Sequence, residues 1–409
     1  MEGWVATWGC ALQPPDQPDD PELAHTTLRQ TIRASVGGSV ARLTLSNEYG
    51  EAPLVLDAVT VARPADGRAG AREVQPESVV PVTFGGSVSV TIPPGARIVS
   101  DDFAYIVEPR ANLTVTLHIR SAPAVLTTHP GSRTTSHVFR CSCHGPSQGG
   151  PGQEGSCQEG LPPRQKPSSG RPSCTDDPGV ATPVAHWYFL AGLDVRPAAP
   201  GAAVVCLGDS LTDGRGSTTD GNDRWSDVLA DRLHAAGRTH VAVVNQAAGG
   251  GRVLRDGLGI AALRRFDRDV LGTAGIRWLV VFAGINDIGR ADATAAAQRR
   301  IGDELIAGYS EIVERAHAHR IAVYGATLIP FRGHEYDDPY GRRERTRRRV
   351  NAWIRTSGQF DAVLDFDEVV RDPDDHARVL PSLHNGDGLH LNPLGYRALA
   401  AAVPLDLFA

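Results

Sequence analysis

Lysine is almost absent from this 409-residue chain: Lys166 is the single lysine among 41 basic residues, and methionine occurs once. That bias, with abundant Ala, Gly and Asp, reflects GC-rich coding, so the arginine count is no argument for nucleic-acid binding. Aromatic residues make up only 6% and the formal charge is −6 (41 basic against 47 acidic), so stacking side chains and a basic domain balance, which nucleic-acid recognition needs, are both missing. No apolar run approaches the roughly 18 residues of a membrane span. Met1-Glu2-Gly3-Trp4 opens with an acid and no apolar stretch, so no signal peptide is read here and the chain as written is placed in the cytoplasm. Paired cysteines at zinc-site spacing are also lacking. The six cysteines stand at 10, 141, 143, 157, 174 and 206, and Cys141-Ser-Cys143 is too tight for the C-x₂₋₄-C pairs of structural zinc.

What is there divides into three compositions. Residues 1–140 carry short apolar segments broken by turns: Leu28 to Val36, Val40 to Leu45, Leu54 to Val61, Val79 to Phe84, Val88 to Ile92 and Leu113 to Ile119. Alternation of apolar and polar residues in Val40–Leu45 and Leu113–Ile119 fits a sheet with one wet face. The Gly-Gly pairs at 37–38 and 85–86 suit tight hairpin turns. An all-β sandwich or jelly roll is the expectation. Asn112-Leu-Thr114 has the form of a glycosylation acceptor but falls inside a predicted strand.

From Cys141 to Val180, Gly, Pro and Ser fill 21 of 40 positions, too little apolar surface to offset the entropy of ordering. Residues 141–182 are read as a flexible linker or insertion. The remainder, 183–409, changes to α/β grammar, with apolar runs at Ala203–Leu207, Val241–Val244, Trp278–Phe282, Ile321–Tyr324 and Ala362–Phe366. Between them lie helical patterns, the clearest placing Ile301, Leu305, Ile306, Tyr309, Ile312, Val313 and Ala316 on one face. Strands alternating with helices predict a parallel sheet covered on both faces, with ligands bound beyond the carboxyl ends of the strands.

Four motifs occupy that rim. Gly208-Asp209-Ser210-Leu211-Thr212-Asp213-Gly214 follows the first strand; its serine is either a helix cap or a nucleophile, and Thr212 rules out the G-x-S-x-G elbow. Asn245-Gln-Ala-Ala-Gly249-Gly250-Gly251 follows the second, a tight turn or a set of bare amides for an oxyanion. Gly284-Ile285-Asn286-Asp287 follows the third, its asparagine a cap or a second donor. Asp387-Gly388-Leu389-His390-Leu391-Asn392-Pro393 lies beyond the fifth, close enough in sequence for the carboxylate to fold back onto the imidazole. A serine hydroxyl needs such a neutral imidazole to become a nucleophile, and the carboxylate holds the imidazole's tautomer.

Together these residues resemble the GDSL or SGNH hydrolase superfamily, whose four blocks carry a characteristic Ser, Gly, Asn and His. The resemblance covers roughly 200–409. It implies a flavodoxin-like three-layer α/β/α sandwich with a five-stranded parallel sheet, and an esterase in which Ser210 is the nucleophile and His390 the base. Asp387 then orients His390, while Gly250, Asn286 and the Ser210 amide form the oxyanion hole. No metal and no organic cofactor is implied; the partner is a small-molecule or carbohydrate ester. Trp4-Val-Ala-Thr-Trp8, Leu28–Arg33 and Leu45–Gly50 further resemble a bacterial subgroup with an N-terminal β-sandwich, compared with arylesterases and xylan-associated deacetylases. Many of its members are exported, so the resemblance leaves secretion open. Departures from the subgroup are Gly251 in place of Asn, Ala247-Ala248 in place of Gly-Ile, and the long cysteine-rich connection. An acyltransferase, or a non-catalytic carbohydrate-binding protein on the same scaffold, are the alternatives.

Two further features concern the surface of the α/β part. Arg342, Arg343, Arg345, Arg347, Arg348 and Arg349 are expected to form a solvated helical face. Phe331–Tyr340 follows the fourth strand, so it is either a lining of the substrate pocket or an ordinary surface loop.

Overall fold

The computed structural model describes residues 3–15, 20–140 and 181–409; the cysteine-rich segment 141–180, and with it the linker assignment except for residues 181–182, lies outside them. Five parallel strands, Ala202–Gly208, Val241–Ala247, Ile276–Phe282, Ala322–Ala326 and Ala362–Leu364, stand in the spatial order second, first, third, fourth, fifth. The central strands are buried along nearly their whole length, as a sheet sandwiched between helices requires. Helices Trp225–Ala235 and Pro393–Ala402 pack together, and Ile285–Arg290, Ala295–Ala318 and Arg342–Thr356 form a second packed group. This is the three-layer α/β/α fold.

The long helix forms where periodicity places it. Thr294 caps it by accepting from the Ala297 amide, and Ile301, Leu305, Tyr309, Ile312, Val313 and Ala316 are buried, with Ile306 half-buried. The last parallel strand is shorter than its apolar run: Asp365 caps a helix that starts at Phe366, so the run continues into the next element. Among the described residues no helix is long and apolar enough to cross a membrane.

The rest of the described chain builds antiparallel sheets. One has the order Val5–Gly9, Leu190–Arg196, Gly38–Ser46, Arg97–Val99, with Phe103–Val107 also on Gly38–Ser46. A second runs Ala181–Val184, Ser136–Arg140, Thr26–Arg33, Asn112–Ser121, Leu54–Ala62, Val80–Val82, with Val90–Ile92 also on Leu54–Ala62, and a third is the short pair Thr128–His129 with Trp187–Tyr188. Residues 183–196, grouped by composition with the α/β part, and residues 181–182, assigned to the linker, thus contribute strands to the antiparallel sheets. They follow the cysteine-rich segment in sequence yet pair with strands that precede it.

The two Gly-Gly pairs part company. Gly85 and Gly86 both have positive φ (59° and 78°), and Phe84 and Ser87 pair across them, so a tight turn forms as read from sequence. Gly37-Gly38 is no hairpin, a correction of the reading, because Thr26–Arg33 and Gly38–Ser46 belong to different sheets. Glycine is needed there for close approach instead: a Cβ on Gly37 would lie 2.5 Å from the Val107 carbonyl, and one on Gly38 2.6 Å from that of Arg196. Phe103–Val107 escaped pattern reading because both of its faces are apolar, leaving Ile106 63% exposed.

Nor is the arginine-rich helix a solvated face throughout. Arg345, Arg348 and Arg349 are exposed, but Arg347 is buried, its guanidinium bonded to Glu344, Asp367 and the Leu328 carbonyl. Three acceptors around one planar fork make that burial possible.

The antiparallel and parallel parts touch along the edge strand Val241–Ala247. Val5–Gly9 packs beside it, and a Cβ on Gly9 would sit 2.6 Å from Val244 and Gln246 side-chain atoms. The antiparallel part therefore reaches the same end of the sheet where the sequence motifs gather.

Candidate active site

Ser210 stands where the first strand turns into a one-turn helix, Ser210–Asp213. Asp209, not the serine, caps that helix, its Oδ1 accepting from the Leu211 amide at 3.1 Å. Gly214, with φ 96°, ends it, and Gly208 is required because a Cβ there would overlap Thr212. Relieved of capping, the Ser210 hydroxyl donates to His390 Nε2 at 2.8 Å. The opposite ring nitrogen, Nδ1, donates to Asp387 Oδ2 at 2.6 Å.

Asp387 and His390 are held by their own loop. The other carboxylate oxygen of Asp387 accepts from the amides of Leu389 and His390 at 2.9 and 2.8 Å. Burial alone would raise the Asp387 carboxyl, yet the His390 ring and these two amides hold it below the usual carboxylate range. Burial pushes the His390 imidazole down to about 4, against the pull of Asp387, so at neutral pH its Nε2 lone pair is available to a hydroxyl proton. Asn392 then caps the following helix, accepting from Leu394 and Gly395, with Pro393 in its first turn.

Gly250 and Asn286 close the other side. Ala248–Gly251 form a turn, with Gly251 N donating to the Ala248 carbonyl at 2.9 Å and Gly250 at φ 67°. Asn286 is the second residue of its helix rather than the cap, which is Gly284. Its Nδ2 donates to the Gly251 carbonyl at 2.9 Å and its Oδ1 accepts from the Tyr336 hydroxyl at 2.8 Å. These partners fix which way the amide faces and leave one N–H uncommitted. Next to it, Asp287 accepts from the Val253 and Leu254 amides, tying the third-strand loop to the second; burial raises its carboxyl to about 6. Among the described residues, the Ser210 and Gly250 amides meet no acceptor.

The Phe331–Tyr340 loop faces the site. His334 packs edge-on against His390 (centroids 5.8 Å apart) and against Tyr336 (4.7 Å), and the Tyr336 ring lies so close to Gly289 that any Cβ there would overlap it. His334, Asp387 and His390 hold ligand atoms within 4.8 Å of one another, a spacing a metal ion could bridge. Two of the three, however, already use their lone pairs and protons in the chain to Ser210.

Three residues hold the site from beneath: motif reading passed over two of them, His129 and Gln13, and took in Asp213 only as part of the Ser210 motif. His129, on a short antiparallel strand, places Nε2 2.8 Å from Asp213 Oδ1 and Nδ1 2.8 Å from the Ala11 carbonyl. Both residues are buried. Burial works to strip the ring's proton, but the Asp213 carboxylate outweighs it and holds the His129 pKa well above its ordinary value. Since a carbonyl only accepts, Nδ1 carries a proton, and the charged ring donates at both nitrogens. The third, Gln13, donates from Nε2 to the Gly249 carbonyl at 3.1 Å. Partners 84 and 236 residues apart leave no mark at any fixed spacing.

With fold and geometry in place, the class is a three-layer α/β/α protein on whose rim a hydroxyl, an imidazole and a carboxylate are joined in series. Residues 206–398 match the GDSL-like lipase/acylhydrolase family. No curated protein matches. Solved structures similar to this chain include a lipase/acylhydrolase from Enterococcus faecalis, at 21% identity over 49% of this chain and 92% of that one, TM-score 0.38. A GDSL-like lipase from Bacteroides thetaiotaomicron matches at 19% identity over 49% and 84%, TM-score 0.34. A variant of an acetyl-xylooligosaccharide esterase from Geobacillus matches at 21% over 50% and 93%, TM-score 0.38.

Proposed function

We propose that the protein is a serine esterase that hydrolyses carboxylic esters through an acyl-enzyme on Ser210. The observation that carries this reading is the unbroken chain Ser210 Oγ–His390 Nε2 at 2.8 Å and His390 Nδ1–Asp387 Oδ2 at 2.6 Å. In it, Ser210 Oγ attacks the acyl carbon while His390 takes its proton. The imidazolium that forms is stabilised by Asp387. The tetrahedral oxyanion receives hydrogen bonds from the Ser210 and Gly250 amides and from the uncommitted N–H of Asn286. His390 then returns the proton to the leaving alcohol, and water, activated by the same base, cleaves the acyl-enzyme. The catalytic domain is assigned to the part that follows residue 196, with the antiparallel sheets as its partner domain.

A series of chromogenic esters from acetyl to long acyl chains tests this, with Ser210→Ala in parallel. Wild-type activity that falls by about 10⁴-fold or more in the variant is the expected outcome. The acyl length at the optimum then reports the pocket. A variant as active as the wild type, or a wild type silent on every ester, removes the reading.

A further inference from the structure

The peptide joining Gly249 to Gly250 has two ends. Its N–H, on Gly250, is one of the oxyanion donors proposed above; its carbonyl, on Gly249, accepts the side-chain amide of Gln13. We propose that Gln13, a residue of the antiparallel part, is a positioning residue of the oxyanion site, holding and polarising the peptide whose N–H meets the developing charge. This rests on the esterase reading, since the N–H matters only if an oxyanion forms there.

Three observations carry it. First, the peptide is free to turn without such a hold. It lies between two glycines at the centre of the Ala248–Gly251 turn, with Gly250 at φ 67° and Gly249 outside the left-handed region. Rotating that peptide plane interconverts two ordinary turn types and reverses the direction of its N–H. In the reversed state the Gly249 carbonyl leaves Gln13, so the hydrogen bond opposes the rotation.

Second, Gln13 is built in rather than draped over the site. Its backbone exchanges both hydrogen bonds with Thr128, N to O at 2.7 Å and O to N at 3.1 Å. The residue is only 3% exposed. Gly259 makes room for it, since a Cβ there would come within 2.9 Å of Gln13 Nε2.

Third, the neighbour of its pairing partner is His129, which grips Asp213 at the end of the Ser210 helix. One short strand thus anchors both the nucleophile's helix and the oxyanion turn. A donor to the carbonyl of a peptide also strengthens that peptide's own N–H, and a donor fixed before reaction is the kind that stabilises a developing charge without reorganisation.

Gln13→Met keeps the length and bulk of the side chain and removes the donor; Gln13→Glu keeps the shape and sets a carboxylate against the carbonyl. Both are measured beside wild type and Ser210→Ala for kcat, KM, thermal midpoint and affinity for a trifluoromethyl ketone, which forms a tetrahedral oxyanion with a serine. The expected result is a kcat roughly five- to tenfold lower in Gln13→Met, the size a neutral hydrogen bond supports, with a greater loss in Gln13→Glu. KM stays within twofold, and ketone affinity falls in step with kcat/KM. Gly259→Ala, which crowds the Gln13 amide without removing it, lowers kcat in the same sense. Unchanged kcat and ketone affinity in Gln13→Met, with Ser210→Ala inactive, overturns the role of Gln13 and leaves the esterase standing. A loss confined to KM or to the thermal midpoint overturns it equally, as a purely structural role. A wild type inactive on esters brings down both.

Discussion

Two aspartate–histidine pairs lie on either side of Ser210, and they hold their protons in opposite ways. Asp387–His390 is local, three residues apart and joined at 2.6 Å; Asp213–His129 is 84 residues apart and joined at 2.8 Å. Burial pushes His390 down to about 4, whereas His129, more deeply buried still, is held well above the ordinary histidine value. The neighbours differ, since Arg215 and His334 push His390 down further whereas Cys10 joins Asp213 in raising His129, and so does the third hydrogen-bond partner. The Ser210 hydroxyl gives His390 Nε2 a proton to accept, while the Ala11 carbonyl gives His129 Nδ1 only an acceptor. The same two residue types therefore leave an imidazole lone pair facing a hydroxyl in one place and make a fixed ion pair in the other.

The comparison can be broken most forcefully at Asp387. Asp387→Asn is expected to lower kcat by about 10⁴-fold, as the wrong tautomer leaves Nε2 protonated. Its thermal midpoint should hardly move, because the Asp387 side chain is 30% exposed; a kcat within tenfold of wild type would deny Asp387 its orienting role. Asp213→Asn should do the reverse. Removing one member of a buried pair strands the other charge, at a cost of about 3–5 kcal/mol. Its thermal midpoint should therefore drop by several degrees, with a smaller fall in kcat than in Asp387→Asn. A fully stable Asp213→Asn would mean that His129 is not charged.

Acidity sharpens the contrast without any mutation. His390, with a folded value near 4 against about 6.5 in an unfolded chain, keeps the base form far into acid. Activity should stay nearly flat from pH 7 to 5 and fall to half near 4; an acid limb centred at 6.5 would contradict the burial of this imidazole. For stability the signs follow from linkage. As pH falls from 6.5 to 4 the unfolded state takes up a proton that folded His390 refuses, so its contribution to stability declines across that window. His129 is raised, so its contribution is complete below 6.5 and is lost as pH rises through its folded value. Denaturant midpoints measured across pH in His129→Gln and wild type separate the two.

The smallest effect expected is that of Tyr336→Phe. Losing the hydroxyl that donates to Asn286 Oδ1 should lower kcat by about three- to tenfold with KM unchanged, the range of one hydrogen bond. No change would show that the Gly251 carbonyl alone orients the Asn286 amide.

How much was legible beforehand follows from range in sequence. The five parallel strands announce themselves because each is an apolar run, three of them with a motif directly at the carboxyl end, and the long helix because its buried positions recur every three or four residues. Asp387 and His390 are close enough for their pairing to be read from spacing. By contrast, Gly37-Gly38 looks like a turn until the sheets on either side are seen to differ. Residues 183–196 look like the start of the α/β part until they pair with strands from before the cysteine-rich segment. Arg347 looks solvated among its arginine neighbours until Glu344, Asp367 and the Leu328 carbonyl surround it.

The sequence by itself determined the α/β/α layers, the rim where Ser210, Gly250, Asn286 and His390 gather, and the local Asp387–His390 pair, because apolar periodicity and short-range hydrogen bonding are written within a few residues. Only the tertiary structure decided that Asp209 rather than Ser210 caps the Ser210–Asp213 helix, that Tyr336 and the Gly251 carbonyl set the face of Asn286, and that Gln13 and His129 reach in from the antiparallel part. Each of those depends on which group ends up as the nearest donor or acceptor once water is excluded, and that is settled by packing between distant segments.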